Sequence, residues 1–466
     1  MTIQEILAKD RPIEQVIADL KEKSIIVPAW NGRNGLRSMY DPSKHPVMSR
    51  ALYPDVVQDD GSIDRVTRIT YDLQRLAVKR MTELCNGIPV QRVCKPEKDN
   101  KKQKEVAEAL EKLFQRNRID SVNIERCNML FAGCEVMTLW YAVEERNTAY
   151  GFNSPLKIRC RNFSPMLGDD LYPLFDEYGD LIALSVGYAR KDGVKTVNFF
   201  ETYTADHHYK WSNQNNGGWV LTEEEPHNIE KIPGVYMYRP TPIWEDTSKI
   251  VYEMEWAMSR NGNYLRKNSK PVFVVFANEQ IDFGNEKNET EEAKSVLQFP
   301  AGAKAEYVTW QQAVENLKFY VSELRNSFFT QLQLPDWSYE KMSQQAMSGE
   351  SRKQLFIDAQ LKVKDESGRL IEFFDREIQV AKQFLKRAMG EAYHADIDAL
   401  PVENVITPFT INDEKDTIDN LVTATGGKAI MSQREAIAEY GHSENVEQTL
   451  AEIQAESEAN SFGLTM

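Results

Sequence analysis

The sequence has no uninterrupted apolar run near the 18 or so residues that a membrane-spanning helix needs. Its opening, MTIQEILAKDRP, places acids where a secretory leader carries bases, and no apolar core follows. Neither export nor membrane insertion is therefore expected. Cysteine is scarce: Cys85, Cys94, Cys127, Cys134 and Cys160 are an odd number, and none stands in a CxxC pair. That excludes a zinc ribbon and a paired-thiol redox motif, and leaves reduced, mostly buried thiols made in a cytosol as the expectation. Of six histidines only His207 and His208 are neighbours. They fall in a β-run, where successive side chains point to opposite faces and do not share a ligand.

Catalytic motifs are missing too. The chain contains no GxxxxGK[ST], no HExxH and no GxSxG. GRNG at Gly32 to Gly35 lacks the Lys-Ser/Thr pair and the preceding strand of a phosphate loop, and Gly426-Gly427-Lys428 reads as a helix end and restart. Asp169-Asp170 sits in a turn beside Pro165 and Gly168, without the His or further acid that a metal site needs. No catalytic residue, cofactor or metal ligand is assigned, and the expectation is a protein that is not an enzyme.

What is abundant is negative charge, unevenly placed. Lys and Arg number 56 against 71 Asp and Glu, a net of -15. From Gly390 to Met466 fifteen acids face three bases (Lys415, Lys428 and Arg434), a net of -12, so the other 389 residues carry -3. This balance argues against a general basic coat for nucleic acid. An acidic tail repels DNA and stays solvated, which an ordinary soluble helical end would also do. The opposite balance, from Arg75 to Lys104, reads as a solvated helix face and loop. With 466 residues, 41% of them apolar, the chain can bury a sizeable core in two to four structural units.

Apolar spacing organises the chain. From Ser62 onward Val66, Ile69, Leu73, Leu76, Val78 and Leu84 predict a helix ending near Asn86-Gly87, then a strand over Ile88–Val93. Helices over 101–115 and 120–132 precede a strand at 135–143. Residues 155 to 240 alternate short β-rich runs with Asp, Asn and Gly turns, an antiparallel meander. After Asp246 a helix carries Met254, Met258 and Leu265 on one face, the methionines filling core or interface, and ends in Arg260, Arg266, Lys267 and Lys270. A strand at 272–276, an acidic stretch and a short return strand lead to a helix with Val314, Leu317, Val321, Leu324, Phe328 and Leu332 at its apolar positions. The polar stretch LPDWSYEKMSQQAMSG follows. The longest periodic segment, Ser351 to Met389, would span about 60 Å as one helix.

The ordered set of segments resembles the portal protein family of tailed double-stranded DNA bacteriophages, of siphophage type. The resemblance is carried by ITYDLQRLAVKRMTELCNGIPVQ (69–91), FAGCEVMTLWYAVEE (131–145) and RNFSPMLGDDLYPLFDEYGDLIALSVGYAR (161–190). It continues in KIPGVYMYRPTPIWEDTSKIVYEMEWAMSRNGNYLRKNSKPVFVV (231–275), in LPDWSYEKMSQQAMSGESRKQLFIDAQLKVK (334–364) and in the closing TPFTINDEKDTIDNLVTATGGKAIMSQREAIAEYG. It covers about residues 60 to 466; the first sixty match nothing in the family's pattern.

The resemblance implies an α+β, mainly helical portal fold with wing, stem, clip and crown regions, assembling as a homo-oligomeric ring of about twelve subunits. It assigns 1–246 to the wing, 247–268 to the first stem helix, 269–309 to the clip and 310–333 to the second stem helix. Residues 334–349 become the tunnel loop, 350–390 the long wing helix and 391–466 the crown. The implied role is the ring at one capsid vertex, through which double-stranded DNA is packaged and later ejected without being read for sequence. The implied partners are the terminase large subunit, the major capsid protein and scaffold, and a head-completion or adaptor protein. Its place would be the portal vertex of the virion, with the host cytoplasm during assembly. Trp337, Tyr339, Lys341, Met342 and Gln344 would face DNA, or pack at a subunit interface. Arg260, Arg266, Lys267 and Lys270 would hold DNA transiently, or pair with neighbouring subunits' acids. Glu286, Glu289, Glu291 and Glu292 would dock the motor or adaptor, or form a solvated loop. A structural adaptor or helical-bundle virion protein without a channel stays open as the alternative.

Overall fold

A computed structural model describes residues 2–23, 25–32, 35–193, 195–214, 217–268, 272–276, 304–308, 314–336, 356–409, 414–426, 429–441 and 446–463. In chain order the helices are α1 (Ile3–Ile6), α2 (Ile13–Leu20), α3 (Leu36–Tyr40), α4 (Leu73–Asn86), α5 (Lys101–Arg116), α6 (Ile119–Gly133) and α7 (Ser248–Asn268). They continue as α8 (Val314–Leu332), α9 (Ile357–Met389), α10 (His394–Ala399), α11 (Glu414–Thr425), α12 (Gln433–Tyr440) and α13 (Val446–Gly463). The strands are β1 (Val56–Val57), β2 (Ile63–Asp64), β3 (Gln91–Cys94), β4 (Glu135–Asn147), β5 (Ser154–Phe163), β6 (Asp170–Phe175) and β7 (Leu181–Asp192). After them come β8 (Lys195–Tyr203), β9 (His207–Gln214), β10 (Val220–Pro226), β11 (Gly234–Tyr238), β12 (Val272–Phe276), β13 (Lys304–Val308) and β14 (Val402–Val405). The chain divides into two compact units: one of residues 1–27, 78–240 and 333–466, the other of 28–77 and 241–332.

In the larger unit the meander is a five-stranded antiparallel sheet in the order β10-β9-β8-β7-β6. A second sheet, β11-β4-β5, packs on it. Met137, Leu139, Phe163, Leu171, Leu184, Val186, Tyr203 and Tyr236 interdigitate between the two. Gly234 lets them approach: a Cβ there would sit 2.7 Å from the Leu184 side chain. The N-terminal helices α1 and α2 bury Ile6, Val16, Ile17 and Leu20 against Phe200 and Trp211. The Lys21 ammonium lies 5.1 Å from the Trp219 ring and 5.3 Å from that of Phe200. Such contacts let a cation keep favourable electrostatics while leaving water.

The long periodic segment is α9, 33 residues and about 50 Å. It packs on β4, β5, β11 and β14. Strand β14 pairs antiparallel with β3, some 300 residues earlier, placing Asn404 opposite Arg92. At the centre of this contact Arg126 of α6 and Glu377 of α9 form a bidentate pair at 2.6 and 2.7 Å, with side chains 2% and 0% exposed. Trp140 donates its indole N–H to the same carboxylate at 3.2 Å. The guanidinium stacks on Phe373 and Phe374, 4.6 and 5.1 Å from the ring centroids. Burial pushes the Glu377 carboxyl up, but Arg126 and Arg92 and the hydrogen bonds outweigh it, holding the group below the ordinary carboxylate range. Arg80 and Arg92 depart from the solvated helix face expected over 75–104. Arg80 is 8% exposed, and Arg92 lies on the Phe114 ring at 4.6 Å.

In the smaller unit the helix expected from Ser62 does not begin until Leu73. The reason is tertiary. Residues 64–71 run extended along α7 and meet it once per helical turn. Tyr71 N–H donates to Glu255 at 2.8 Å, and Ile69 N–H to Ser259 at 2.8 Å. Thr67 approaches Gly262, where a Cβ would stand 3.0 Å from its methyl, and Asp64 accepts from Arg266 at 2.7 Å. The helix positions 255, 259, 262 and 266 form one face, adjacent to that of the buried Val251 and Met254. His45 completes this contact, its Nδ1 2.7 Å from Glu255 Oε1 and both side chains fully buried.

Two outcomes follow. Glu377→Ala leaves Arg126 charged in a dry site, so a loss of about 3–5 kcal/mol is expected in denaturant unfolding. A second carboxylate, Glu201, is driven upward by burial but more strongly downward by hydrogen bonds from His208, Tyr188 and Tyr203, and stands at about 2. A depressed carboxyl contributes stability that is complete above its unfolded value and is lost as pH falls through the folded one. Between about pH 5 and 2 the protein should therefore lose about 3 kcal/mol through this group. Glu201→Gln should be less stable at neutral pH and show a flatter acid limb in pH-resolved melting.

Candidate functional site

No catalytic cluster emerges from the residues that sequence reasoning singled out. His208 stacks on Tyr203, ring centroids 4.5 Å apart, with its Nε2 3.3 Å from Glu201, whereas His207 leans on Tyr209 at 5.9 Å. The two histidines thus serve different partners. Asp169 accepts from the Ser164 backbone N–H at 3.2 Å, and burial pushes its carboxyl up. All five cysteines are free thiols, three of them buried. Burial drives Cys160 to about 12, so it is protonated at neutral pH. Among the described residues no three His, Cys, Asp or Glu side chains come together as a metal site.

The elements of interest are structural. Helices α7 and α8 pack together, and the hairpin β12–β13 lies between them in sequence, with Val272 opposite Val308 and Phe276 opposite Lys304. Helix α8 starts and ends where its 3–4 spacing predicts. Its C-terminal end buries Phe328, Phe329 and Leu332. Its first turns do not: Phe319 is 69% and Tyr320 43% exposed, beside half-buried Leu317, Val321 and Leu324. Leu265 on α7 and Phe276 on β12 are exposed as well. Apolar groups of that size at one end of an amphipathic pair mark a surface that association would cover.

The bases of α7 have partners within their own chain. Arg266 reaches Asp64 Oδ1 at 2.7 Å and Lys267 reaches Asp64 Oδ2 at 3.3 Å. Arg260 stacks on Trp256, 5.3 Å from the centroid. Lys270 lies outside the described side chains. The sequence reading missed Asp64 because it stands 202 residues away on β2, with no local signal.

Trp337, Tyr339, Lys341, Met342 and Gln344, and Glu286, Glu289, Glu291 and Glu292, lie outside the described residues. The start of the 334–349 segment is described. Helix α8 ends at Leu332, two residues before Leu334-Pro335, and Gln333 leaves it in the left-handed region at φ 54°. Pro335 therefore follows the helix end and does not make it. Buried Arg80 on α4 donates to the Pro335 carbonyl, and its guanidinium stands 3.7 Å from Asp336. Leu334 and Phe356, on either side of the undescribed residues, are 3% and 1% exposed. Arg80 was not anticipated: a base on an amphipathic helix gives no sign of its distant partner.

The described fold is mixed α+β, and the sequence places the chain in a family. The family described as Phage portal protein, SPP1 Gp6-like, matches residues 35–461, and the chain belongs to it. It is a phage structural virion protein without enzymatic activity. No curated protein matches the sequence. Among solved structures, a chain described as "Neck of empty GTA particle computed with C6 symmetry" is similar at 10% identity, over 91% of this chain and 98% of that one, with a TM-score of 0.43. The α1–α2 segment lies before the first matched residue.

The Asp64 contact is testable. Both partners are partly exposed, so Asp64→Asn should cost about 1 kcal/mol or less in urea unfolding. Most of that difference should vanish in 1 M salt.

Proposed function

We propose that the chain closes into a homo-oligomeric ring, of about twelve copies as the family resemblance implies, around a channel for double-stranded DNA. The observation that carries this reading is family membership over residues 35–461. Two physical features support it. The uncovered apolar end of α8, with Phe319 and Tyr320, is a surface that a neighbouring copy would bury. The net charge of -15 per chain, -12 of it from Gly390 onward, suits a wall that DNA slides past, because few phosphate contacts mean little counterion release and no deep binding minimum.

In this reading α7 and α8 are the stem helices and β12–β13 the base of the clip. The segment 334–349 is the tunnel loop, α9 the long wing helix, and α11 to α13 the crown. The clip, with Glu286, Glu289, Glu291 and Glu292, docks the terminase large subunit and the head-completion or adaptor protein. The outer wing meets the major capsid protein and scaffold. Arg80 acts as the clasp that fixes where the tunnel loop departs, so that Lys341 and Gln344 contact the phosphate backbone without reading sequence. The bases Arg266 and Lys267 are engaged by Asp64 and serve the stem before they serve DNA.

Negative-stain imaging of the purified chain tests the ring. Closed rings with a central hole are expected, whereas a helical adaptor without a channel gives compact particles. The double variant Lys341→Ala, Gln344→Ala should form the same rings and package or retain less DNA in an infection assay. Normal packaging by that variant would remove the loop from the DNA path.

A further inference from the structure

The three C-terminal helices pack on one another: α11 on α12, and α12 on α13. Ser432 caps α12 in a reciprocal capping box with Glu435, and Gly441 ends it in the left-handed region. Between them opens a slot of about 300 Å3 lined by Ile418, Leu421, Val422, Ala436, Ile437 and Ile453, with Thr425, Gln433 and Tyr440 at its edges. Its apolar lining is not closed by the fold, for Val422 is 62% and Ile418 40% exposed.

The surroundings of the slot are acidic. Asp419, Glu435, Glu439, Glu447, Glu452 and Glu456 are all exposed on these helices. Asp419 stands one residue from Ile418, and Glu452 and Glu456 lie one and three residues from Ile453, so carboxylates flank the apolar strip on two helices. Among the described side chains of the three helices the bases reduce to Arg434, which is bound to Glu447. By sequence, residues 414–463 carry ten acids and three bases, a net of -7.

We propose that this slot is a docking site for a basic amphipathic helix of a partner protein. An open strip between helices accepts apolar side chains spaced at i, i+3 or i+4 and i+7, the pattern one face of a helix presents. The flanking carboxylates then meet Lys or Arg on the partner's adjoining positions, which steers the encounter and selects against acidic helices. A second copy of the same strip brings acids onto acids, and DNA brings phosphate onto them. Both are disfavoured by the same charge.

The test uses the full-length protein and a fluorescein-labelled 18-residue Leu/Lys amphipathic peptide, with a Leu/Glu peptide of the same spacing and a Ser/Lys peptide of equal charge as controls. Anisotropy titration should show saturable binding of the Leu/Lys peptide alone. Val422→Glu and, separately, Ile418→Glu place a charge in the slot at exposed positions. Each should weaken the Leu/Lys peptide at least about tenfold. The sign is diagnostic, because an added acid tightens an association that is merely electrostatic. Binding that is unchanged or tighter in these variants, equal binding of the Ser/Lys peptide, or no binding at all overturns the proposal. Native mass measurement covers the remaining occupant: if Val422→Glu lowers the subunit number, the slot is filled by a second copy and the proposal fails.

Discussion

Burying the Arg126–Glu377 pair is costly, and the arrangement of the larger unit follows from how that cost is met. Taking two ions out of water costs several kcal/mol each, which their mutual attraction repays only with good geometry and with hydrogen bonds to the remaining lone pairs. Here the geometry is bidentate, Trp140 supplies a donor, Asn123 and Thr138 accept from the guanidinium, and two phenyl rings cover its faces. Meeting these requirements brings α6, β4 and α9 to one point. A second cation, Arg92, adds its field from β3, the strand that β14 pairs with across the chain. Asn404 of β14 in turn donates to Asp375 of α9. The long helix is thus held in one register by polar contacts. An apolar stripe alone would tolerate a slide of one turn.

The smaller unit solves a similar problem with backbone. An extended segment buried beside a helix must find partners for its N–H groups, because unpaired ones cost as much as lost hydrogen bonds. Ser259 both accepts from and donates to the backbone of Ile69, and Glu255 accepts from Tyr71. Gly262 gives the closest approach, and Asp64 ties the end through Arg266 and Lys267. Helix α7 therefore has two occupied faces, one apolar and one polar. For a helix read as a stem element this matters, since its bases help to hold the segment alongside it.

The chain belongs to a phage portal protein family, and its described chemistry is structural. Among the described residues, the buried ion pairs are held by hydrogen bonds. Arg126 pairs with Glu377, His45 with Glu255, and Glu201 accepts from its tyrosines. The surface holds two contrasts: the uncovered start of α8 and the slot of the C-terminal helices with acids beside it.

Much of this order was legible in the sequence. The period of α8 marked both of its ends, the turns of 155–240 announced the meander, and the long stripe after Phe356 announced α9. Periodicity works there because a face buried along its whole length repeats at the helical or strand period. The missing motifs and the lopsided charge likewise narrowed the function before any fold was known. Other features left no such trace. The apolar spacing of Val66 and Ile69 mimics a helix, yet those residues are extended, since donors of Ile69 and Tyr71 find acceptors on α7. Arg80 and Arg92 look like surface bases until a carbonyl and a phenyl ring, distant in sequence, cover them. Glu377, one acid among many on α9, is distinguished only by Arg126, 251 residues away. Local spacing determined which faces would be buried. Which polar groups followed them inside was decided by tertiary structure, because a charge can leave water only where the fold has already assembled its partner.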